Sequence, residues 1–186
     1  MAGCRSLKPD EITRFLNALK TPRDKCLVTL GLRSGFRISE LLSLTVPQVV
    51  QFGRVVERVR VQARHMKGKE STREIPVHPD AANAIRELLK TYPADYTGFL
   101  FKSQKSNKAI SRMQAHRVLK QAINTCELQG KLATHTMRKT FAQTIFKALD
   151  HDIYKLAKAL GHSGIGNTIK YLAVDQDEID AAILKT

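Results

Sequence analysis

The stretch Thr134–His162, THTMRKTFAQTIFKALDHDIYKLAKALGH, decides how the fold is interpreted. Its apolar residues recur at helical spacing and predict two consecutive helices. The first begins with Thr134 as its cap and runs to about Leu149, and the second covers Asp152–Leu160. Gly161 ends the second helix, because glycine readily adopts the left-handed conformation found at helix ends. The chain therefore contains a pair of helices joined by a short turn.

Most of the remaining sequence has the same helical spacing of apolar residues. Caps, prolines at first helical positions and glycines at ends mark the boundaries. The predicted helices are Lys8–Lys20, Thr21–Ser34, Ser39–Leu42, Pro79–Thr91, Ser111–Cys126, a restart at Asn167 or Thr168, and a last amphipathic segment, Asp177–Lys185.

One region has the period of a strand instead. In Val55–Ala63, valines alternate with Arg58 and Arg60, which is typical of a half-buried strand. A polar turn around Lys67 and a returning strand, Arg73–Val77, complete a basic β-hairpin. The predicted fold is mainly α with a small antiparallel β-sheet (α+β). The chain has 186 residues, of which 42% are hydrophobic, enough for a single domain over residues 1–186.

The charge balance favours a polyanionic partner. Lys and Arg number 31 against 17 Asp and Glu, a formal net charge of +14. A basic chain of this kind has the electrostatic footprint of a nucleic-acid-binding protein. Charge alone excludes neither a soluble basic protein nor one that binds acidic membranes. As a separate observation, no apolar run is long enough to span a bilayer. The three cysteines form no metal-binding or disulfide pattern and fit a reducing cytoplasm.

Four local patterns carry candidate chemistry. They are GFRISEL at residues 35–41, the hairpin turn with Lys67, THTMR at residues 134–138, and LGH at residues 160–162, followed by Tyr171. Each has an ordinary structural explanation when taken alone, such as a solvated arginine or a helix stop. Their joint occurrence, in this order and spacing, is what points to a function.

Together these patterns resemble the tyrosine recombinase, or phage integrase, family. The matching pieces are GFRISELLSL, KGKESTREIPV, THTMRKTFAQ and LGHSGIGNTIKYL, which span Gly35–Leu172. The resemblance implies the DNA breaking-rejoining catalytic fold and a site-specific recombinase or integrase. Carried over position by position, it implies the catalytic residues Arg37, Lys67, His135, Arg138, His162 and Tyr171.

The resemblance implies a covalent mechanism. Tyr171 would attack the phosphorus and form a 3′-phosphotyrosine with a free 5′-hydroxyl. Two guanidiniums, Arg37 and Arg138, would hold the non-bridging oxygens with charge-assisted bonds. A phenol has an ordinary pKa near ~10 and needs help to lose its proton. His135 is a candidate base or a hydrogen-bond partner of the phosphate, and both roles stay open.

The remaining roles follow from the same resemblance. Lys67 would protonate the leaving 5′-oxygen as a general acid. Lys69 is its rival, since the turn length varies in the family. His162 would donate a hydrogen bond to the scissile phosphate, and Glu40 would buttress the turn of Arg37. We expect contacts with backbone phosphates from Lys69, Arg73, Lys105, Arg112 and Lys139.

The implied partner is double-stranded DNA, bound as a homotetramer on paired sites, with a monomer in its absence. No cofactor, metal or membrane is expected, and the setting is a phage or mobile element in the cytoplasm. Family members usually carry a separate N-terminal core-binding domain, which we expect to be absent here, the chain being an excised domain or a minimal version. A topoisomerase-like relaxing enzyme and a non-catalytic DNA-binding module are the alternatives.

Overall fold

Helices form most of the described part of the chain, as the spacing of apolar residues predicts. The structure is a computed structural model that describes residues 3–61, 72–172 and 183–184. Within these ranges the helices are α1 (Pro9–Asn17), α2 (Pro22–Ser34), α3 (Ile38–Ser43), α4 (Val46–Val49), α5 (Pro79–Leu89), α6 (Arg112–Thr125), α7 (Thr134–Ala148), α8 (Ile153–Leu160) and α9 (Ile165–Ile169).

Two short antiparallel sheets accompany the helices, where the sequence predicts one. The predicted strand Val55–Ala63 is divided, because Val55 pairs with Val50 whereas Arg58–Val61 pairs with residues 73–76. The Val56 amide extends the first pairing by donating to the Val49 carbonyl at 3.0 Å. Residues 62–71, which include the hairpin turn, lie outside the described part. The strands are β1 (Val50–Gln51) paired with β2 (Arg54–Val55), and β3 (Arg58–Val61) paired with β4 (Arg73–Pro76).

Strand β3 has the predicted alternation of buried and exposed residues. Val59 and Val61 are each 1% exposed, whereas Arg58 and Arg60 lie on the surface. The register pairs Val61 with Arg73 at the start of β4. Residues directly opposite each other in an antiparallel pair project from the same face. Arg73 therefore enters the protein on the side of the buried valines.

The core is built around α2. Residues Cys26–Leu32 of this helix are all buried, as expected of a helix covered on several sides. The helix packs against α5 and α7. Gly31 permits the close approach of α7, since a Cβ at this position would lie 2.7 Å from Met137 Sδ. This packing brings the N-terminal half of α7 next to the C-terminal half of α2.

A second, smaller apolar cluster joins α7 to α8. The half-buried side chains of Tyr171 and Leu172, which follow α9, pack against this cluster. The candidate nucleophile is thereby held beside both helices. The buried members of this cluster are Phe141, Ala142, Leu156 and Leu160.

The start of α7 differs from the prediction by one residue. Ala133, and not Thr134, is the cap residue. The Ala133 amide donates to the Thr136 hydroxyl at 3.1 Å, so a threonine inside the first turn completes the cap. The other long helices begin and end close to their predicted positions.

Helix α9 also begins earlier than predicted. It starts at Ile165 after Gly164, whereas Asn167 or Thr168 was the expected start. Thr168 does not cap the helix, because its hydroxyl is hydrogen-bonded to a histidine ring. The predicted segment Asp177–Lys185 lies outside the described residues except for 183 and 184. In the ranges that are described, no helix has the length and apolar character needed to cross a bilayer.

Candidate active site

The turn after α2 positions Arg37. The helix ends at Gly35, whose backbone is left-handed with φ 59°, and a Cβ there would collide with the Phe141 ring. Glycine is the residue that this conformation favours. The chain reverses at Gly35, and Arg37 becomes the cap residue of α3. The predicted glycine turn thus gives Arg37 a fixed backbone position.

Glu40 holds Arg37 from within the protein. Its buried carboxylate accepts hydrogen bonds from the Arg37 backbone amide and from Arg37 Nη1, both at 2.8 Å. The same carboxylate lies 3.6 Å from Arg73 Nη1. These contacts agree with the buttressing role predicted for Glu40. They leave the Arg37 side chain 30% exposed and able to meet a ligand.

Arg138 is a buried cation on α7, with 1% of its surface exposed. Its Nη1 donates to the Gly35 carbonyl, and its Nη2 donates to the Leu160 carbonyl at 2.7 Å. Burial lowers the pKa of the Arg138 guanidinium, and the charge of Arg37 lowers it further. An arginine nevertheless stays protonated at neutral pH. The fold therefore keeps a positive charge between the ends of α2 and α8.

His162 and Tyr171 lie against this cation. Arg138 Nη2 is 3.0 Å from His162 Nε2, and Arg138 Cζ is 5.4 Å from the centre of the Tyr171 ring. The His162 and Tyr171 ring centres are 5.3 Å apart. Three of the residues implied by the resemblance are thus in mutual contact, although up to 33 positions separate them in sequence.

His135 lies at the exposed start of α7. Partial desolvation lowers the pKa of its imidazole, and the charges of Arg138, Arg37 and Lys139 lower it further. A lowered pKa keeps the ring neutral at neutral pH. A neutral imidazole can accept a proton or a hydrogen bond, so both roles considered for His135 remain available.

An open cavity of about 600 Å³ joins these residues. Four of them, Arg37, His135, His162 and Tyr171, line it directly, and Arg138 contacts the last two. A larger depression of about 740 Å³ beside the two sheets is lined by none of the candidate catalytic residues whose positions are described. The rest of the lining of the first cavity consists of Gly3, Lys139, Asn167 and Lys170.

Two predicted residues cannot be placed in this cavity. Lys67 and Lys69 both lie in residues 62–71, outside the described part of the chain. The choice between them as general acid therefore stays a prediction. Among the residues with described positions, no three His, Cys, Asp or Glu side chains gather as metal ligands would.

Sequence reasoning missed two cavity residues, Asn167 and Lys170. Both precede Tyr171 by no more than four positions, on or just after the short helix α9. The spacing of polar residues before the predicted nucleophile was the available signal. Lys170 adds a cation that the family signature does not include.

Arg73 requires a correction. We expected it to contact backbone phosphates, but its side chain is only 5% exposed. Its Nη2 donates to the Ser34 and Ala159 carbonyls at 2.9 and 2.6 Å, and its guanidinium lies 5.0 Å from the centre of the Phe36 ring. Burial lowers the pKa of Arg73 to about 9, so it remains charged at neutral pH. Arg73 ties β4 to the ends of α2 and α8 and is unavailable to DNA.

Replacing Arg73 by methionine is expected to destabilise the fold by about 3 kcal/mol or more. The Ser34 and Ala159 carbonyls and one carboxylate oxygen of Glu40 would each lose a charged partner. Urea denaturation measures this loss. Arg60→Met is the matched control, since Arg60 is 68% exposed and pairs with Glu74 only at 3.6 Å. If the Arg73→Met protein were as stable as the wild type but bound DNA more weakly, the structural role of Arg73 would be wrong and a contact with phosphate would be supported.

The other basic residues predicted to contact phosphates are accessible. Lys105 and Arg112 are exposed, and Lys139 lines the candidate cavity together with His135. Their contacts with DNA stay predictions. Lys69, the remaining member of the set, lies in the undescribed turn.

Known proteins of similar sequence cover nearly the whole chain. The sequence profile of the Phage integrase family matches residues 5–178. The "Probable integrase/recombinase YoeC" of Bacillus subtilis is 34% identical over 179 residues, which are 96% of this chain and 92% of that protein. The tyrosine recombinase XerC of Caldanaerobacter subterraneus is 28% identical over 95% of this chain but only 49% of its own length.

Solved structures agree in fold. The crystal structure of XerA recombinase has a TM-score of 0.79 and 19% identity, and covers 97% of this chain and 65% of its own. XerH site-specific recombinase, bound to a palindromic difH substrate in a post-cleavage complex, has a TM-score of 0.75 and 19% identity over 96% of this chain and 51% of its own. This chain thus spans about half of XerC and of XerH. The α+β fold is that of tyrosine recombinase catalytic domains, and the chain belongs to the phage integrase family of tyrosine recombinases.

Proposed function

We propose that this protein is a site-specific recombinase or integrase that cleaves and rejoins DNA through a covalent 3′-phosphotyrosine. The observation that carries the proposal is the cavity itself. Arg37, His135 and His162 surround one opening with Tyr171, and the buried Arg138 contacts the last two. Five residues from three separate sequence motifs converge there on the space of one phosphodiester.

Tyr171 is the nucleophile in this proposal. Its phenolic oxygen forms a bond to phosphorus, and the bond from phosphorus to the 5′-oxygen breaks. The phosphotyrosine conserves the phosphodiester energy, so a 5′-hydroxyl can later attack it and rejoin the strand. If His135 is the base, the phenolic proton passes to His135. If His135 is instead the hydrogen-bond partner of the phosphate, the phenolic proton is lost to solvent. The lowered pKa of His135 is compatible with either course.

The two arginines stabilise the negative charge that develops on the non-bridging oxygens. Donors fixed in advance, in a site shielded from water, are worth more than the same donors in water. Glu40 fixes Arg37, and the Gly35 and Leu160 carbonyls fix Arg138. His162 adds a hydrogen bond to the same phosphate. Lys67 donates the proton to the leaving 5′-oxygen, with Lys69 as its rival.

Double-stranded DNA is the proposed partner. The net charge of +14 supports it, and so do the DNA complexes reported for the similar XerH recombinase. Exchange between two DNA molecules requires several active sites, so we propose a homotetramer on paired sites and a monomer without DNA. The proposed setting is a mobile element in the cytoplasm.

A suicide-substrate assay tests the function. Nicked duplexes with sequences taken from the DNA that encodes the chain are incubated with the protein. The reaction products are then separated on a denaturing gel. A covalent complex is expected, together with recombinant products when two distinguishable DNA molecules are supplied. An adduct without recombinants would point to a relaxing enzyme, and no adduct with any fragment would leave only a non-catalytic module.

Affinity for DNA is expected to fall steeply with salt. Each phosphate that the protein neutralises releases bound counterions. If about six phosphates or more are contacted, affinity should drop by about 10³-fold or more between about 50 and about 200 mM salt. Fluorescence anisotropy with a labelled duplex measures this slope. An affinity that hardly changes with salt would contradict the electrostatic account of the net charge.

A further inference from the structure

Thr168 connects two residues of the candidate site. It is fully buried on α9, three positions before Tyr171. Its hydroxyl oxygen lies 2.9 Å from His162 Nδ1, and its carbonyl accepts the Tyr171 amide at 2.9 Å. One side chain and its own backbone thus hold both the histidine ring and the segment that carries the phenol.

The contacts of His162 define the role of each ring nitrogen. A guanidinium donates hydrogen bonds and cannot accept them. Since Arg138 Nη2 lies 3.0 Å from His162 Nε2, Nε2 is the acceptor of that bond. In a neutral ring the proton is then on Nδ1, which donates to the Thr168 hydroxyl. The side of the ring that carries Nε2 faces the arginine, and His162 lines the cavity.

The proposed reaction requires a different proton arrangement. To donate a hydrogen bond to a phosphate oxygen, Nε2 must carry a proton. Nδ1 then either keeps its proton or becomes an acceptor. A hydroxyl can accept from Nδ1 in one state and donate to it in the other. Neither a methyl group nor a backbone carbonyl can do both.

We propose that Thr168 is a positioning residue for His162. Its hydroxyl holds Nδ1 in either protonation state and so fixes the ring, whose Nε2 accepts from Arg138 when unprotonated and donates to the scissile phosphate when protonated. The proposal rests on the recombinase function proposed above. In this proposal, α9 does more than position Tyr171, because its Thr168 also aligns His162.

Thr168→Val tests the proposal, because valine keeps the shape and removes the hydroxyl. We expect single-turnover cleavage of a suicide duplex to slow by about 10- to 100-fold, the usual size of an effect from a lost orienting partner. DNA affinity should stay unchanged. Thr168→Ser should restore the rate to within about threefold. Thr140→Val is the control, since it removes another buried hydroxyl, bonded to the Thr136 carbonyl and the Leu7 amide.

Nitrogen NMR of the free protein gives a readout that does not depend on activity. The His162 ring nitrogens should shift in Thr168→Val and return in Thr168→Ser, whether or not the wild-type protein cleaves DNA. A folded Thr168→Val protein with unchanged cleavage and unchanged His162 resonances overturns the proposal, and so does a serine variant as slow as valine. If Thr168→Val does not fold, Thr168→Ala replaces it, with the same expected results.

Discussion

Tyr171→Phe is expected to abolish the covalent protein–DNA complex while the protein still folds and binds DNA. The change removes one oxygen, and no other atom of the ring. The ring can still pack against the cluster of α7 and α8 and keep its contact with Arg138. Without that oxygen, no bond to phosphorus can form at this position. The measurement is the denaturing gel with a nicked duplex, supported by anisotropy for binding.

Tyr154→Phe provides the matched control for this experiment. Tyr154 lies on α8, is 73% exposed and is absent from the catalytic cavity. The same loss of a hydroxyl should therefore leave the adduct intact. If Tyr171→Phe retained the adduct, another residue would be the nucleophile, and peptide mapping of the trapped complex would identify it.

Arg37→Ala is expected to slow cleavage by at least about 10²- to 10³-fold, the effect of losing one fixed donor to a charged transition state. Arg37 is the clearer of the two arginines to test. Its side chain is 30% exposed and bonds within the protein to Glu40, whereas Arg138 is buried and bonds to two helix ends. In Arg37→Ala, Glu40 keeps the backbone amide and Arg73 as partners. Stability should therefore change little, and single-turnover kinetics should report the chemistry.

Arg33→Ala is the control for Arg37→Ala. Arg33 is 35% exposed and forms an ion pair with Asp80 at 2.6 Å, so the two substitutions remove similar surface groups. Cleavage by the Arg33 variant should stay near the wild-type rate. Arg37→Lys should remain slow, because an ammonium cannot make the bidentate bonds of a guanidinium. If Arg37→Ala cleaved DNA at the wild-type rate, the proposal that two arginines stabilise the charge on the non-bridging oxygens would be wrong.

The helices could be predicted because their signals are local. Caps such as Thr21, whose hydroxyl accepts the Asp24 amide, and the left-handed Gly35 lie within a few residues of the ends they define. The break in the predicted strand could not be read in this way. It depends on the partner of each half, since Arg54–Val55 pairs with Val50–Gln51 and Arg58–Val61 pairs with Arg73–Pro76.

The error at Arg73 has a different cause. Alternation along β3 correctly placed Arg58 and Arg60 outside. Alternation along β4 puts Arg73 on the same face as Ile75, and the register sets these two residues opposite the buried Val61 and Val59. The expected phosphate contact followed the charge of Arg73 and not this pattern. The candidate catalytic residues were assigned from the resemblance of their motifs, and their roles stay predictions, whereas the Thr168 contact required the shape of the turn after His162.

The ends of two helices have an electrostatic consequence for the site. The last carbonyls of α2 and α8, which include those of Ser34, Gly35 and Ala159, receive the guanidiniums of Arg73 and Arg138. The C-terminus of a helix carries a partial negative charge from its aligned peptide dipoles. Two macrodipoles and one carboxylate therefore compensate two adjacent buried cations from the interior. The cations that line the cavity itself, Arg37, Lys139 and Lys170, are then the ones available to attract a phosphate.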